Sequence, residues 1–284
     1  MKKSDLVIES GSSKTDWYWV DSKEPAGHTA GLNPYVQGMQ EIQRQLSLEI
    51  PLILKDIIPN HIHFYGSGFS SEEFNHPMKK LLEQLTGCKK AIVEHDLLGA
   101  ARAAWGSDSG LVAILGTGSN SCFYDGKKIV SQQGGHGYLF GDEGSGADMG
   151  KRCIKALLDN EMPEELSQDL LRWAQVQTPV ELRNLIHGQP SPNVKLAALA
   201  LWVAEKKQHP FIQNIIQASF SSFIQKTILR FPEIQPVVFI GSIASSFEEE
   251  LKMILMENNI PLHEIITQPV LRLLSYHEKN NSFD

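Results

Sequence analysis

The sequence contains few cysteines and no pair of cysteines with metal-ligand spacing. Three cysteines occur in 284 residues, at Cys88, Cys122 and Cys153, and none belongs to a C-x-x-C motif. Disulfide frameworks and zinc sites need several closely spaced cysteines. The composition therefore argues against a disulfide-stabilised domain and against a zinc module.

Long apolar runs and an excess of positive charge are also absent. The apolar run Leu196–Ala204 is about half the length that crosses a bilayer. Aspartate and glutamate number 33 against 26 lysines and arginines, whereas a nucleic-acid partner requires a clustered basic face. The segment Met1–Asp5 runs directly into a strand-like stretch, so no signal peptide is expected. We expect a cytoplasmic protein that binds neither membranes nor nucleic acids.

A strand–turn–strand pattern occurs twice, with a constant offset of 105 positions. Leu6-Val7-Ile8 leads to Gly11, and Leu111-Val112-Ala113 leads to Gly116. Two later strand–helix segments, at 62–68 and 91–105, also resemble segments at 237–243 and 265–279. Three matches in the same order indicate an internal duplication.

The two predicted halves differ in length. Their boundary lies in the small polar run 106–110, which gives domains at 1–108 and 109–284. The distance from Gly11 to Gly66 is 55 positions and that from Gly116 to Gly241 is 125, a difference of 70. The additional residues have helical patterns and predict a helical insertion at about 145–210.

Glycine-, serine- and threonine-rich turns follow the first strand of each half, at 11–15 and 116–119. Such turns expose backbone N–H groups, and glycine lets a phosphate approach closely. Neither a G-x-x-x-x-G-K-[ST] motif nor a G-x-G-x-x-G motif after a strand is present. Taken singly, each turn is more simply interpreted as an ordinary hairpin.

Two further segments carry carboxylates at positions suited to proton transfer or to ligand binding. Asp96 follows a strand-like run and begins a helix, which favours a helix cap over a general base on position alone. Asp142 and Glu143 lie in a glycine-rich turn before a helix. That turn fits either an ordinary surface turn or one that binds sugar hydroxyls.

Six motifs in order resemble the BadF/BadG/BcrA/BcrD ATPase family, and within it the N-acetylglucosamine kinase-like members. That family belongs to the actin-like, sugar-kinase and Hsp70 ATPase superfamily. The motifs are GSSKTDW at 11–17, GLNP at 31–34, VEHD at 93–96, LGTGSNS at 115–121, GDEGSG at 141–146 and GSIA at 241–244. Each motif is weak alone, and together they favour Asp96 as a catalytic base.

The resemblance implies an α/β protein with two RNase H-like domains around a cleft, the second carrying the helical insertion. It implies ATP and Mg²⁺ as cofactors, an N-acetylated hexosamine as substrate and Asp96 as the base that deprotonates the sugar hydroxyl. A homodimer is expected from similar kinases alone. The implied phosphate-binding residues are Gly11, Ser12, Ser13, Lys14, Thr15, Gly116, Thr117 and Gly118. The implied adenosine-binding residues are Gly241 and Ser242, and Glu9 is implied to hold Mg²⁺ through water. The implied sugar-binding residues are Asn33, Asp96, Ser119, Asn120 and Asp142.

Two alternative functions remain open at this point. The family also includes ATPases that activate acyl-CoA dehydratases or reductases, which need cysteine ligands for an iron–sulfur cluster, and the three cysteines show no such pattern. The other alternative is a non-catalytic nucleotide or sugar sensor. It is suggested by Glu9, which stands where the family usually has an aspartate.

We expect the variant Glu9→Asp to transfer phosphate faster than the natural protein. Glutamate retains the charge but adds one methylene, and Mg²⁺ tolerates little departure from its preferred geometry. Initial rates of sugar-dependent ADP release at saturating Mg-ATP measure the effect. A rate for Glu9→Asp that is equal to or below the natural rate contradicts the expectation.

Overall fold

The computed structural model describes residues 4–188 and 191–280, so the outer ends of both predicted domains lie outside the described residues. The chain forms two compact α/β units, each with a five-stranded sheet. The first unit contains most residues up to Ser109 together with Asp125–Ile129 and the residues from Gln268. The second contains Gly110–Tyr124 and Val130–Thr267.

The first sheet has the strand order β3-β2-β1-β4-β5. β2 is antiparallel to β1 and β3, whereas β4 is parallel to β1 and β5. The strands are β1 (Leu6–Ser10), β2 (Lys14–Trp19), β3 (Pro25–Ala30), β4 (His61–Gly66) and β5 (Lys90–His95). The helices of this unit are α1 (Pro34–Leu54), α2 (Glu72–Thr86), α3 (Asp96–Trp105) and the last helix of the chain, α12 (Pro269–Asn280).

The first three residues of β1 are apolar on both faces because helices cover both sides of the first sheet. Successive side chains of a strand point to opposite faces. Leu6 and Ile8 therefore pack in the cluster that contains Ile42 of α1, while Val7 packs in a second cluster with Leu273 of α12. This double burial fixes the end of β1, where the first glycine-rich turn begins.

The second sheet repeats the order of the first, with β8-β7-β6-β9-β10 in place of β3-β2-β1-β4-β5. β6 pairs antiparallel with β7 and parallel with β9, as β1 does with β2 and β4. The strands are β6 (Gly110–Leu115), β7 (Ser119–Tyr124), β8 (Ile129–Gly134), β9 (Val237–Ile240) and β10 (Leu262–Ile266). The repeated topology agrees with the internal duplication predicted from the sequence.

The predicted insertion forms helices between the third and fourth strands of the second unit. The helices of this unit are α4 (Gly137–Phe140), α5 (Gly146–Leu158), α6 (Glu164–Trp173), α7 (Pro179–His187), α8 (Pro192–Glu205), α9 (Pro210–Lys226), α10 (Ser242–Ser246) and α11 (Glu248–Glu257). α5 and α8 pack with close backbones because Gly150 has no side chain. A Cβ atom at this position would collide with the Leu196 carbonyl. This contact holds the N-terminal end of α5 in place.

The last helix lies on the first unit, although the sequence boundary at 108/109 grouped it with the C-terminal half. α12 packs against α3, β1 and β2, and its residues Val270 and Leu273 join Val7 and Tyr65 in one buried cluster. The apolar face of α12 therefore completes the core of the first unit. None of the helices in residues 4–188 and 191–280 has the length and hydropathy needed to cross a membrane.

We expect Leu273→Ala to lower the free energy of unfolding by about 2–5 kcal/mol, because a fully buried leucine leaves a cavity. Leu273 is 0% exposed, whereas Leu271 on the same helix is 37% exposed. Leu271→Ala is the matched control and should change stability by less than about 0.5 kcal/mol. Urea unfolding of both variants measures the difference, and equal losses would show that α12 is not anchored by this face.

Candidate functional site

A chain of buried hydroxyl groups connects the first glycine-rich turn to the segment after β3. The Leu32 N–H donates to Ser10 Oγ over 3.0 Å, Ser10 Oγ lies 2.7 Å from Thr15 Oγ1, and Thr15 Oγ1 donates to the Ala30 carbonyl over 2.9 Å. Because Thr15 donates to Ala30, the Ser10 hydroxyl donates to Thr15. Both hydroxyl side chains are fully buried. The hydroxyls hold the two segments together.

Close backbone contact reinforces this connection. A side chain at Gly31 would collide with the carbonyl of Gly11 and the backbone of Ser12. The structure thus brings the predicted phosphate turn and the predicted GLNP sugar segment together within the first unit. Thr15 contributes through its position in the hydroxyl chain, while Ser13 and Lys14 are exposed.

Asn33 caps α1 and is fixed by two contacts. Its Oδ1 accepts a hydrogen bond from the Tyr35 N–H over 3.0 Å, and its Nδ2 donates to Ser67 Oγ over 3.4 Å. The capping bond stabilises the start of α1. It also orients the carboxamide that the resemblance assigns to the sugar.

Acidic groups are concentrated at the end of β1. Glu9 lies directly opposite Asp16 in the antiparallel pair β1–β2. Burial, together with the charges of Asp16 and Asp96, raises the pKa of Glu9 to about 7. Lys14 lowers this pKa only in part. A cation near Glu9 would relieve the repulsion, and carboxylate oxygens are suitable ligands for Mg²⁺.

The donor set fits a magnesium ion that takes most of its ligands from water and substrate. Within residues 4–188 and 191–280, no group of three or more His, Cys, Asp or Glu side chains is arranged to hold a metal ion. Mg²⁺ commonly keeps several waters and binds through one or two carboxylates and phosphate oxygens. Glu9 therefore fits the predicted role, which stays a prediction.

Asp96 is the first residue of α3, and the helix cap is its neighbour His95. The His95 Nδ1 accepts a hydrogen bond from the Leu97 N–H over 3.3 Å. The cap interpretation of Asp96 was therefore wrong, because an imidazole occupies that position. Burial raises the pKa of Asp96 above its usual range, against opposing contributions from His95 and the Leu97 N–H. A carboxylate of raised pKa is suited to accept a proton.

The second unit contains an analogous connection between its first turn and the GDEGSG turn. The Ser119 N–H donates to Asp142 Oδ1 over 3.2 Å, and Ser119 Oγ donates to the Glu143 carbonyl over 2.7 Å. A side chain at Gly118 would lie 2.8 Å from Asp142 Oδ2. The structure therefore brings Gly118, Ser119 and Asp142, which the sequence predicted separately, into direct contact.

The N-terminal end of α5 extends this connection. The N–H groups of Gly146 and Ala147 donate to the carbonyls of Gly116 and Thr117, over 2.9 and 3.2 Å. These bonds satisfy two of the amide groups that the first turn of a helix leaves unpaired. The turn 116–118 is therefore attached to a helix that is packed tightly on α8.

Gly241 joins the same group of residues. A side chain there would collide with the Leu115 carbonyl, and its φ of +119° favours glycine. The predicted adenosine motif thus lies beside the second phosphate turn. Ser242 is exposed at the start of α10.

Asn120 lies on β7, and its carboxamide contacts β8. Its Oδ1 accepts hydrogen bonds from the Ser121 N–H and from Gln132 Nε2, over 2.9 and 3.1 Å. A side chain at Gly135 would lie 2.7 Å from its Nδ2. The structure therefore fixes Asn120 against the end of β8.

Asp148 was not recognised from the sequence and supports the GDEGSG turn. It is 3% exposed, and its Oδ2 accepts hydrogen bonds from the Gly144 N–H, Arg152 Nε and Ser219 Oγ, over 3.3, 2.9 and 2.7 Å. A signal was available, since Ser145-x-x-Asp148 is a capping pattern and Ser145 Oγ accepts from the Asp148 N–H. The contact with α9 could not be read from local sequence.

We expect Asp142→Asn to raise the free energy of unfolding at pH 8 by about 1–3 kcal/mol. Burial raises the pKa of Asp142 from 3.8 to about 6. The folded protein therefore holds this proton more tightly than the unfolded chain, and stability is lost as the pH rises from about 4 to 6. Asparagine lacks this ionisation and accepts the φ of +61°.

Urea unfolding at pH 4 and pH 8 measures this effect, with the exposed Glu257→Gln as the control. The advantage of Asp142→Asn should be present at pH 8 and absent at pH 4. An advantage of equal size at both pH values would contradict a cause based on ionisation.

Comparison with known proteins identifies relatives of this chain. No family model matches the sequence. Over 127 residues the chain is 31% identical to the N-acetylmuramic acid/N-acetylglucosamine kinase of Clostridium acetobutylicum. That match covers 43% of this chain and 41% of the relative, so it spans less than half of the relative's length.

Solved structures give longer matches. A proposed N-acetylglucosamine kinase from Porphyromonas gingivalis is 33% identical, with a TM-score of 0.90 over 97% of this chain and 99% of that one. A ROK family glucokinase from Streptomyces griseus, in complex with glucose and AMPPNP, is 12% identical with a TM-score of 0.59 over 97% and 98% of the two chains. The second likeness concerns the fold alone and agrees with the predicted actin-like architecture. Because the likeness to the P. gingivalis protein extends over almost the entire chain, the chain belongs to the N-acetylglucosamine kinase-like family.

Proposed function

We propose that this protein transfers the γ-phosphoryl group of ATP to a hydroxyl of an N-acetylated hexosamine. The observation that supports this most strongly is the likeness along the whole chain to a proposed N-acetylglucosamine kinase. The partial match to an N-acetylmuramic acid/N-acetylglucosamine kinase points to the same class of substrate. The local geometry of each unit supplies groups suited to phosphate, sugar and proton transfer.

Asp96 is the proposed general base. Its carboxylate accepts the proton of the sugar hydroxyl as that oxygen bonds to the γ-phosphorus. The bond between the γ-phosphorus and the β–γ bridging oxygen breaks, and ADP leaves with that oxygen. The raised pKa of Asp96 supports this role because its carboxylate binds a proton more tightly than an ordinary aspartate does.

The two glycine-rich turns are the proposed phosphate contacts. Their backbone N–H groups and the Lys14 ammonium are suited to the negative charge of the transferring group. Glu9 would hold Mg²⁺ through water, and the bound ion would neutralise charge on the phosphate oxygens. The hydrogen bonds around Ser10 and Ser119 fix both turns before a substrate binds.

The proposed sugar contacts are Asn33 and Asp96 in the first unit and Ser119, Asn120 and Asp142 in the second. The hydrogen bonds of Asn33, Asn120 and Asp142 hold these side chains in defined orientations. Fixed polar groups lose little rotamer freedom when they bind a sugar hydroxyl. The arrangement supports a site for a polyhydroxylated ligand.

The cysteines give no support to a role as an iron–sulfur ATPase. Cys88, Cys122 and Cys153 are all buried. Burial raises the pKa of Cys122 and of Cys153 to about 12, whereas a cluster ligand is a thiolate. A protein that is colourless when purified would count further against a bound iron–sulfur cluster.

We expect Asp96→Asn to reduce sugar-dependent ADP release by about 10²–10⁴-fold, because the base is lost while the shape of the side chain is retained. ADP and sugar should still bind, as measured by calorimetry. The control is Asp56→Asn, an exposed residue of the same unit whose φ of +65° suits asparagine. Activity in the control should equal that of the natural protein.

An assay of ADP release distinguishes the proposed function from its alternatives. It uses the natural protein with Mg-ATP and a panel of amino sugars. ADP release that depends on an N-acetylated hexosamine supports the kinase. Release that does not depend on sugar would contradict it in favour of an ATPase. Binding of both ligands without ADP release would contradict it in favour of a sensor.

A further inference from the structure

Asp16 is a buried carboxylate in the middle of a row of three facing residues. It lies opposite Glu9 on β1 and opposite His28 on β3. Asp16 is 4% exposed. Each of its two carboxylate oxygens contacts a different partner. Oδ1 lies 2.6 Å from His28 Nδ1, and Oδ2 lies 2.7 Å from Lys14 Nζ. Two contacts on a buried group fix its orientation.

The ion pair determines the position of an otherwise exposed cation. The Lys14 side chain is 72% exposed, and a free lysine of this kind samples many rotamers. Burial alone would lower the pKa of Lys14, but the hydrogen bond and charge of Asp16 raise it, with a smaller contribution from Glu9. Asp16 therefore stabilises the charged form of the ammonium, beside the first glycine-rich turn.

The chemistry of the ammonium leaves capacity for a second acceptor. A lysine ammonium has three N–H donors, and the contact with Asp16 Oδ2 uses one of them. Two donors remain for phosphate oxygens. A positioned donor binds such oxygens better than a mobile one, because less conformational freedom is lost on binding.

Glu9 is the competing partner for the same ammonium. In the part of the chain that the structure describes, the ion pair of Lys14 is with Asp16, and no ion pair joins it to Glu9. Glu9 is nevertheless close enough to raise the pKa of Lys14. Without the Asp16 charge, Glu9 would be the competing carboxylate available to pair with the Lys14 ammonium.

We propose that Asp16 is a positioning residue that holds Lys14 ready for the terminal phosphates of the nucleotide and away from Glu9. This inference rests on the proposed function for the identity of the nucleotide. Asp16 itself does not touch substrate in this scheme. It acts through the Lys14 ammonium, and that dependence can be measured.

The test is a double-mutant cycle of Asp16→Asn and Lys14→Met, read by calorimetric binding of ADP and of adenosine without sugar. Each single variant should weaken ADP binding by about tenfold, the size of one charge-assisted contact. The double variant should bind ADP no more weakly than Lys14→Met, since Asp16 acts through Lys14. Adenosine binding should be unchanged in all variants.

Two further variants separate positioning from general structural support. His28→Asn removes the other partner of Asp16 but leaves the pair with Lys14, so ADP affinity should stay within about twofold. Asp16→Glu keeps the charge and should recover most of the ADP affinity lost in Asp16→Asn. If Asp16→Asn does not fold, Asp16→Ser takes its place in the cycle.

Unchanged ADP affinity in Asp16→Asn would overturn the proposal, as would losses that add in the double variant. A loss of adenosine affinity equal to that of ADP would also overturn it. The binding cycle is independent of turnover. A natural protein that binds ADP but phosphorylates no sugar would overturn the proposed function and leave this inference standing.

Discussion

In each unit, a few hydrogen bonds join the turn after the first strand to the segment that follows the third strand. In the first unit the bonds pass through the hydroxyls of Ser10 and Thr15. In the second they pass through Ser119 and Asp142. The two sets use different residues but join equivalent segments of the two units. The proposed phosphate and sugar segments of a unit are consequently joined by direct hydrogen bonds.

The pKa values of the carboxylates in these segments reflect their buried positions. Burial raises the pKa values of Glu9, Asp96 and Asp142, and the charges of nearby carboxylates add to the increase at Glu9 and at Asp142. Raised pKa values are common where a protein prepares groups for chemistry. In the first unit, the Lys14 ammonium pairs with Asp16 and also partly offsets the increase in the pKa of Glu9. The carboxylates of Glu9 and Asp96 in the first unit are thus suited to the proposed roles of holding a cation and accepting a proton.

The sequence predicted the repeated topology well because both halves keep the same spacing between strand and glycine turn. The offset that aligned Leu6 with Leu111 corresponds to equivalent strands, since β1 and β6 each come first along the chain within their unit and lie at the centre of their sheet. Local patterns were less informative where contacts are distant in sequence. Asp148 meets Ser219, 71 positions away, and the pairing of Asp16 with His28 requires the register of two strands. His95 as a helix cap was also missed, since serine, threonine, aspartate and asparagine are the common caps.

The placement of α12 affects the order in which the chain can fold. Chains emerge from the ribosome with the N-terminal end first, and domains usually fold as they emerge. Here Val7 and Tyr65 are buried by residues of a helix that begins only at Pro269. The first unit is thus synthesised before the second unit but completed only after it, and its uncovered apolar face stays open to aggregation until α12 has been made.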